Sequence, residues 1–163
     1  MCSIKYKYHS GFSLIELLIV IAIVGVMTSV FLVSFISSRD ARAVRSIARE
    51  VSAAVRMAQS YALAGRYTDE QKIPCRFIFT PRGNRYDVRY VYHRPRQSCS
   101  LANMEVILTK SIRNGVRVTG GEVAFTVPHA ALSGGGSATI TISRGDAQQR
   151  ICINAVGRIT EQC

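Results

Sequence analysis

The sequence predicts an α+β fold in which one long N-terminal α-helix packs on a C-terminal antiparallel β domain. Three observations carry that prediction. Residues 12–36 form an apolar run with a single charge, Glu16. Beyond it, Val44, Ala48, Val51, Val55, Ala58 and Ala62 recur at three- and four-residue steps, one apolar stripe of an amphipathic helix. From Lys72 onward the period switches to two, with turn residues between the alternating segments.

The apolar run is long enough to matter by itself. At about 1.5 Å per residue it reaches roughly 37 Å as a helix, against a hydrocarbon core of about 30 Å. Glu16 sits near its start, where a carboxylate in a bilayer costs on the order of 3 kcal/mol and so implies a partner or a task. No proline interrupts residues 12–66, and Gly25 is the local weak point. One helix of about 50 residues is therefore expected, in continuous register. Its apolar half covers residues 12–36 and its amphipathic half residues 37–66. Arg39, Arg42, Arg45, Arg49 and Arg56 fall on another face from the apolar stripe and read as a solvated face or a subunit contact.

The β-rich domain is expected over residues 67–163. Residues 73–80 and 85–92 read as two strands around the turn Pro81-Arg82-Gly83-Asn84. In the second strand Tyr86, Val88, Tyr90 and Tyr92 share a face. Such a face, interleaved with arginine, could stack bases, but tyrosines at alternate positions read first as the core side of a sheet lying on a helix. Further strands are expected at 104–109, 115–119, 122–127, 138–143 and 149–154, the last two forming a hairpin around Arg144-Gly145-Asp146. Ser133-Gly134-Gly135-Gly136-Ser137 lacks the lysine and following helix of a phosphate cradle and reads as a connection.

Composition narrows the function classes. The net charge is +11, with 17 arginines among the 21 basic residues. Lys5 and Lys7 supply two of those charges, so residues 12–163 carry +9. Arginine is the better residue for forked contacts to phosphate, which makes an anionic partner a candidate. No catalytic triad, carboxylate dyad or metal constellation stands out, and the histidines lie apart, so neither an enzyme nor a cofactor or metal site is expected. Cys75, Cys99, Cys152 and Cys163 remain once residues 1–11, with Cys2, are set aside. An even count in an exported domain reads as two disulfides with three possible pairings. Cys152 with Cys163 would close a short loop and pin the C-terminus, which leaves Cys75 with Cys99.

The N-terminus resembles that of type IV pilins and type II secretion pseudopilins. The residues that carry the resemblance are a short basic leader (residues 1–11), Gly11, and then Phe12-Ser13-Leu14-Ile15-Glu16 ahead of the long apolar helix. The resemblance implies the pilin fold. It implies that prepilin peptidase cuts between Gly11 and Phe12 and methylates the new amine. It implies that Glu16 then pairs with an N-terminal amine, its own or a neighbouring subunit's, during assembly. The expected course is single-pass insertion in the bacterial inner membrane, C-terminal domain periplasmic, followed by incorporation with other pilins or pseudopilins into a filament. The basic leader adjoins the cut directly and the apolar segment follows it, so this is not a secretory signal peptide.

The tail narrows the resemblance. Ala138-Thr139-Ile140-Thr141-Ile142, Arg150-Ile151-Cys152-Ile153 and Gly157-Arg158-Ile159 are similar to the C-terminal part of minor pilins and pseudopilins of the FimT/GspH type. In the FimT type a Gly-Arg-x-Arg motif is associated with double-stranded DNA binding in natural transformation. Gly157 and Arg158 match its first half, while Thr160 stands at the second arginine. Arg144 and Arg150 in the adjacent hairpin are candidates to supply neighbouring charge. A minor pilin of a type IV pilus and a secretion pseudopilin are the two readings this leaves.

Overall fold

The structure, a computed structural model, describes residues 12–65, 72–94, 98–161 and 163, without the side chains of 30–37. The leader (residues 1–11), with Gly11 and Cys2, lies outside the described residues. The element order is one helix, α1 (Leu14–Ala64), then β1 (Ile73–Pro81), β2 (Arg85–His93), β3 (Met104–Ser111), β4 (Arg117–Gly120), β5 (Val123–Thr126), β6 (Ala138–Arg144), β7 (Ala147–Ile153) and β8 (Ile159–Glu161). This is an α+β, pilin-like architecture. The chain divides into two compact units, Met1–Ser38 and Arg39–Cys163.

In the first unit every described side chain from Phe12 to Ser29 is exposed. No helix among the described residues is long and apolar enough to cross a membrane. The apolar run can be followed with its side chains only as far as Ser29, so the span expected over residues 12–36 is not shown.

In the second unit the rest of α1 and two antiparallel sheets enclose one core. The sheet orders are β3-β2-β1-β5 and β4-β6-β7-β8. The helix contributes Val44, Ala48, Val51, Val55, Ala58 and Ala62, each at most 2 % exposed. Removing such side chains from water contributes about 1.5–3 kcal/mol for each valine. The first sheet answers with Phe77, Phe79, Tyr86, Val88, Tyr90 and Tyr92, and the second with Val118, Ile140, Ile142, Ile151 and Ile153. The tyrosine face of β2 is thus the core side of a sheet. Its rings pack on one another and on β1, Phe79–Tyr86 at 5.3 Å and Tyr90–Tyr92 at 5.7 Å between centroids. The two sheets meet at a bridge between Gly83 and Val118, with N–H to carbonyl bonds of 3.0 and 2.7 Å.

Most strand limits fall where period and turn chemistry place them. The strand expected at 115–119 begins at Arg117 instead, because Asn114 and Gly115 adopt φ of 64° and 67° in the preceding turn. Cys75 is bonded to Cys99 and Cys152 to Cys163, the two pairs expected.

Candidate functional site

Two places carry the sequence's functional candidates: the start of α1, and the side of α1 that meets β7 and β8. At the first, the Ser13 backbone carbonyl accepts hydrogen bonds from the N–H groups of Glu16 (3.0 Å) and Leu17 (3.2 Å), closing the first turn. Ser13-Leu14-Ile15-Glu16 has the spacing of a capping box, a local signal that sequence reading could have used. Glu16 is the acidic residue of that turn, where the unpaired N–H groups favour a negative charge. It lies one turn beyond Phe12, which is 84 % exposed. Around it Leu14, Ile15, Leu17, Leu18 and Ile19 are also exposed. A helix that is apolar all round needs lipid or neighbouring chains to cover it.

The second place is built by the tail. Asn154 organises a tight turn: its Oδ1 accepts from Arg158 N–H (2.7 Å), its carbonyl accepts from Gly157 N–H (2.9 Å), and its own N–H donates to the Arg158 carbonyl (3.1 Å). Gly157 is buried at φ 84°, and its carbonyl accepts from Gln59 Nε2 of α1 at 2.7 Å. A Cβ on Gly157 would lie 2.6 Å from the Ala130 carbonyl oxygen and 2.8 Å from Gln59 Nε2. Glycine is therefore required there. This clamp leaves Arg158 exposed beside Arg56 of α1, in a groove of about 450 Å³ that Gln59, Val156 and Ile159 also line.

Arg150 lies on β7, exposed, and with Arg45 of α1 lines another groove of about 420 Å³. Gln148, Gln149 and Cys163 border the same groove. The Cys152–Cys163 disulfide thereby becomes part of its rim. Arg144 is placed differently. Its Nε meets Asp40 Oδ1 at 2.9 Å, so this arginine joins the β6–β7 hairpin to α1. Among the described residues Arg45, Arg56, Arg150 and Arg158 form no ion pair with a carboxylate. The structure thus brings Arg150 and Arg158 to two basic grooves along one helix and engages Arg144 elsewhere. Sequence reading missed Gln59 and Asp40, whose partners Gly157 and Arg144 lie far along the chain, and also Asn154, whose turn with Gly157 and Arg158 is local.

Other charged clusters are structural. Tyr86 Oη donates to Glu50 Oε1 (2.9 Å), which also meets Lys110 Nζ at 3.1 Å. Burial first, and then that hydrogen bond, push the Tyr86 phenol well above its ordinary range. Lys72 Nζ donates to Glu105 Oε1 (2.6 Å) and Tyr90 Oη to Glu105 Oε2 (2.6 Å). The Lys72 bond, then the Tyr90 bond, hold the Glu105 carboxyl below its usual range, and the Glu105 bond raises Lys72. Among the described residues no three His, Cys, Asp or Glu side chains gather as a metal site would require.

A family model described as the prokaryotic N-terminal methylation motif matches residues 6–32. No curated protein and no solved structure matches the chain. The motif covers Phe12, Glu16 and the exposed apolar turns that follow them. It implies processing by prepilin peptidase, anchoring in a membrane, and later assembly with other pilins into a filament. Joined to a long helix on an antiparallel β domain, the motif supports a type IV pilin-like protein.

Proposed function

We propose that this chain is a minor pilin of the FimT/GspH type, incorporated at or near the tip of a type IV pilus. There it supports pilus biogenesis and binds double-stranded DNA through Arg150 and Arg158. Prepilin peptidase cuts between Gly11 and Phe12 and methylates the Phe12 amine. Glu16, at the positive end of α1, then pairs with an N-terminal amine as the subunit enters the filament. The observation that carries the DNA reading is the exposure of Arg150 and Arg158 in grooves that no Asp or Glu lines among the described residues. Thr160, at the position of the second arginine of the tail motif, favours a second reading: a GspH-type pseudopilin that acts in protein secretion.

A deletion strain assayed for transformation, piliation and protein secretion separates the two. The pilin reading expects loss of piliation and transformation with secretion intact, whereas a secretion defect alone would replace it with the pseudopilin reading. In the same strain N-terminal sequencing of the membrane protein should begin at N-methyl-Phe12. Glu16→Leu should stay in the membrane, because a charge is removed, yet fall out of filaments. Normal incorporation of that variant would refute the amine pairing.

A further inference from the structure

The arginines of α1 have so far been a face without a task. At 100° per residue, Arg45, Arg49 and Arg56 fall within about 40° of one another on the helix, beside the buried stripe. All three are exposed. Arg45 lines the groove that holds Arg150, and Arg56 lines the groove that holds Arg158. Each groove therefore pairs one arginine from the helix with one from the C-terminal region, Arg150 on β7 in one and Arg158 in the turn before β8 in the other.

We infer that Arg45 and Arg56 of α1 are phosphate-contacting residues, so that one DNA backbone lies along the helix across both grooves. This rests on the DNA reading above and extends it from the tail to the helix. Three observations favour a backbone over a small anion. Arg45 and Arg56 are about 16 Å apart along the helix axis, a gap that one phosphate cannot bridge. The duplex carries one phosphate per about 1.7 Å of its axis, so a stretch of about 16 Å can offer separate phosphates to both grooves. Glutamines border both grooves, Gln149 in one and Gln59 in the other, and side-chain amides are common partners of phosphate oxygens. Repulsion between paired guanidinium groups is relieved when a polyanion enters, which is the setting that favours displacement of condensed counterions.

The test uses the full chain in zwitterionic detergent micelles and a mixed-sequence DNA duplex, with affinity measured by fluorescence anisotropy across salt. Arg45→Ala/Arg56→Ala is compared with Arg150→Ala/Arg158→Ala. Arg113→Ala/Arg117→Ala removes equal charge from exposed positions outside both grooves and serves as the control. Four phosphate contacts give a fall of roughly 150-fold between 50 and 200 mM salt, and two contacts roughly 12-fold. Both groove variants should show the shallower dependence, about two units less in slope, while the control keeps the parent slope. Arg45→Lys/Arg56→Lys, which preserves charge, should retain it too. If the helix variant matches the control while the tail variant loses affinity, the inference is overturned and tail binding survives. If all three alanine variants change equally, binding follows net charge alone and both readings fall. A lysine variant as weak as the alanine one would mean that the helix was disturbed, and would also overturn the contact.

Discussion

Gly157→Ala tests the clamp that holds the tail against α1. Its cost has three parts. An L-residue at φ 84° pays about 1–2 kcal/mol for the left-handed conformation. The new methyl would sit 2.6 Å from a backbone oxygen, that of Ala130, which cannot swing aside as a side chain can. Relief requires the tail turn to move, and that movement breaks the bond from Gln59 Nε2 to the Gly157 carbonyl, about 1 kcal/mol more. The expected loss is about 3 kcal/mol. Gly135→Ala isolates the first part, since Gly135 also has positive φ (69°) but has nothing within 4 Å of an added Cβ. It should lose only about 1–2 kcal/mol. Urea titration followed by near-ultraviolet circular dichroism of the buried tyrosines reads both. Equal losses in the two variants, or an unchanged midpoint for Gly157→Ala, would refute the clamp.

Two further outcomes are expected. Replacing Cys152 and Cys163 by serine opens a closed loop with a sequence separation of 11. By the chain-entropy account that costs nearly 3 kcal/mol, and hydrogen exchange should then show β8 fraying while the amides of β1 and β2 stay protected; protection unchanged along β8 would argue against the pinning role. The Lys72–Glu105 bond predicts a pH dependence with opposite signs at its two ends. Glu105 is held below its ordinary value of 4.5, so its contribution is present above that value and is lost on further acidification. Lys72 is raised above 10.5, so its contribution is present below that value and is lost as pH climbs past it. Glu105→Gln should therefore lower the melting temperature at pH 7, and the gap from the parent should close as the pH falls below 4.5 and through the lowered Glu105 value; a constant gap would reject the assignment.

The legible part of this protein is the part written in local pattern. The stripe Val44-Ala48-Val51-Val55-Ala58 specified its buried face because residues three and four apart share one side of a helix. Tyr86, Val88, Tyr90 and Tyr92 specified theirs because strands alternate. Pro81-Arg82-Gly83-Asn84 and Arg144-Gly145-Asp146 marked reversals by turn chemistry. What could not be read is what depends on how the strands sort. Two sheets joined at Gly83 and Val118 follow from no local period. The Gln59–Gly157 bond joins residues 98 apart, and Asp40 meets Arg144 across a similar stretch. Arg144, Arg150 and Arg158 are equivalent as cations in a sequence. Only packing against α1 separates the one that is ion-paired from the two that line open grooves.

That packing also bears on the proposed DNA contact of Arg150 and Arg158. The last residues of most domains fray unless tied down. Here three independent ties act within a dozen residues. β8 pairs with β7 through Ile153 and Ile159, Cys163 is bonded to Cys152, and Gln59 holds the Gly157 carbonyl. None of these ties uses a charged side chain, so the guanidinium groups of Arg150 and Arg158 are left exposed on a fixed backbone. A fixed cation loses less conformational freedom on meeting a phosphate than one on a mobile tail. Loosening any single tie should therefore weaken DNA binding without changing net charge. This separates a preorganised site from an excess of arginine, which would attract DNA equally well from a frayed end.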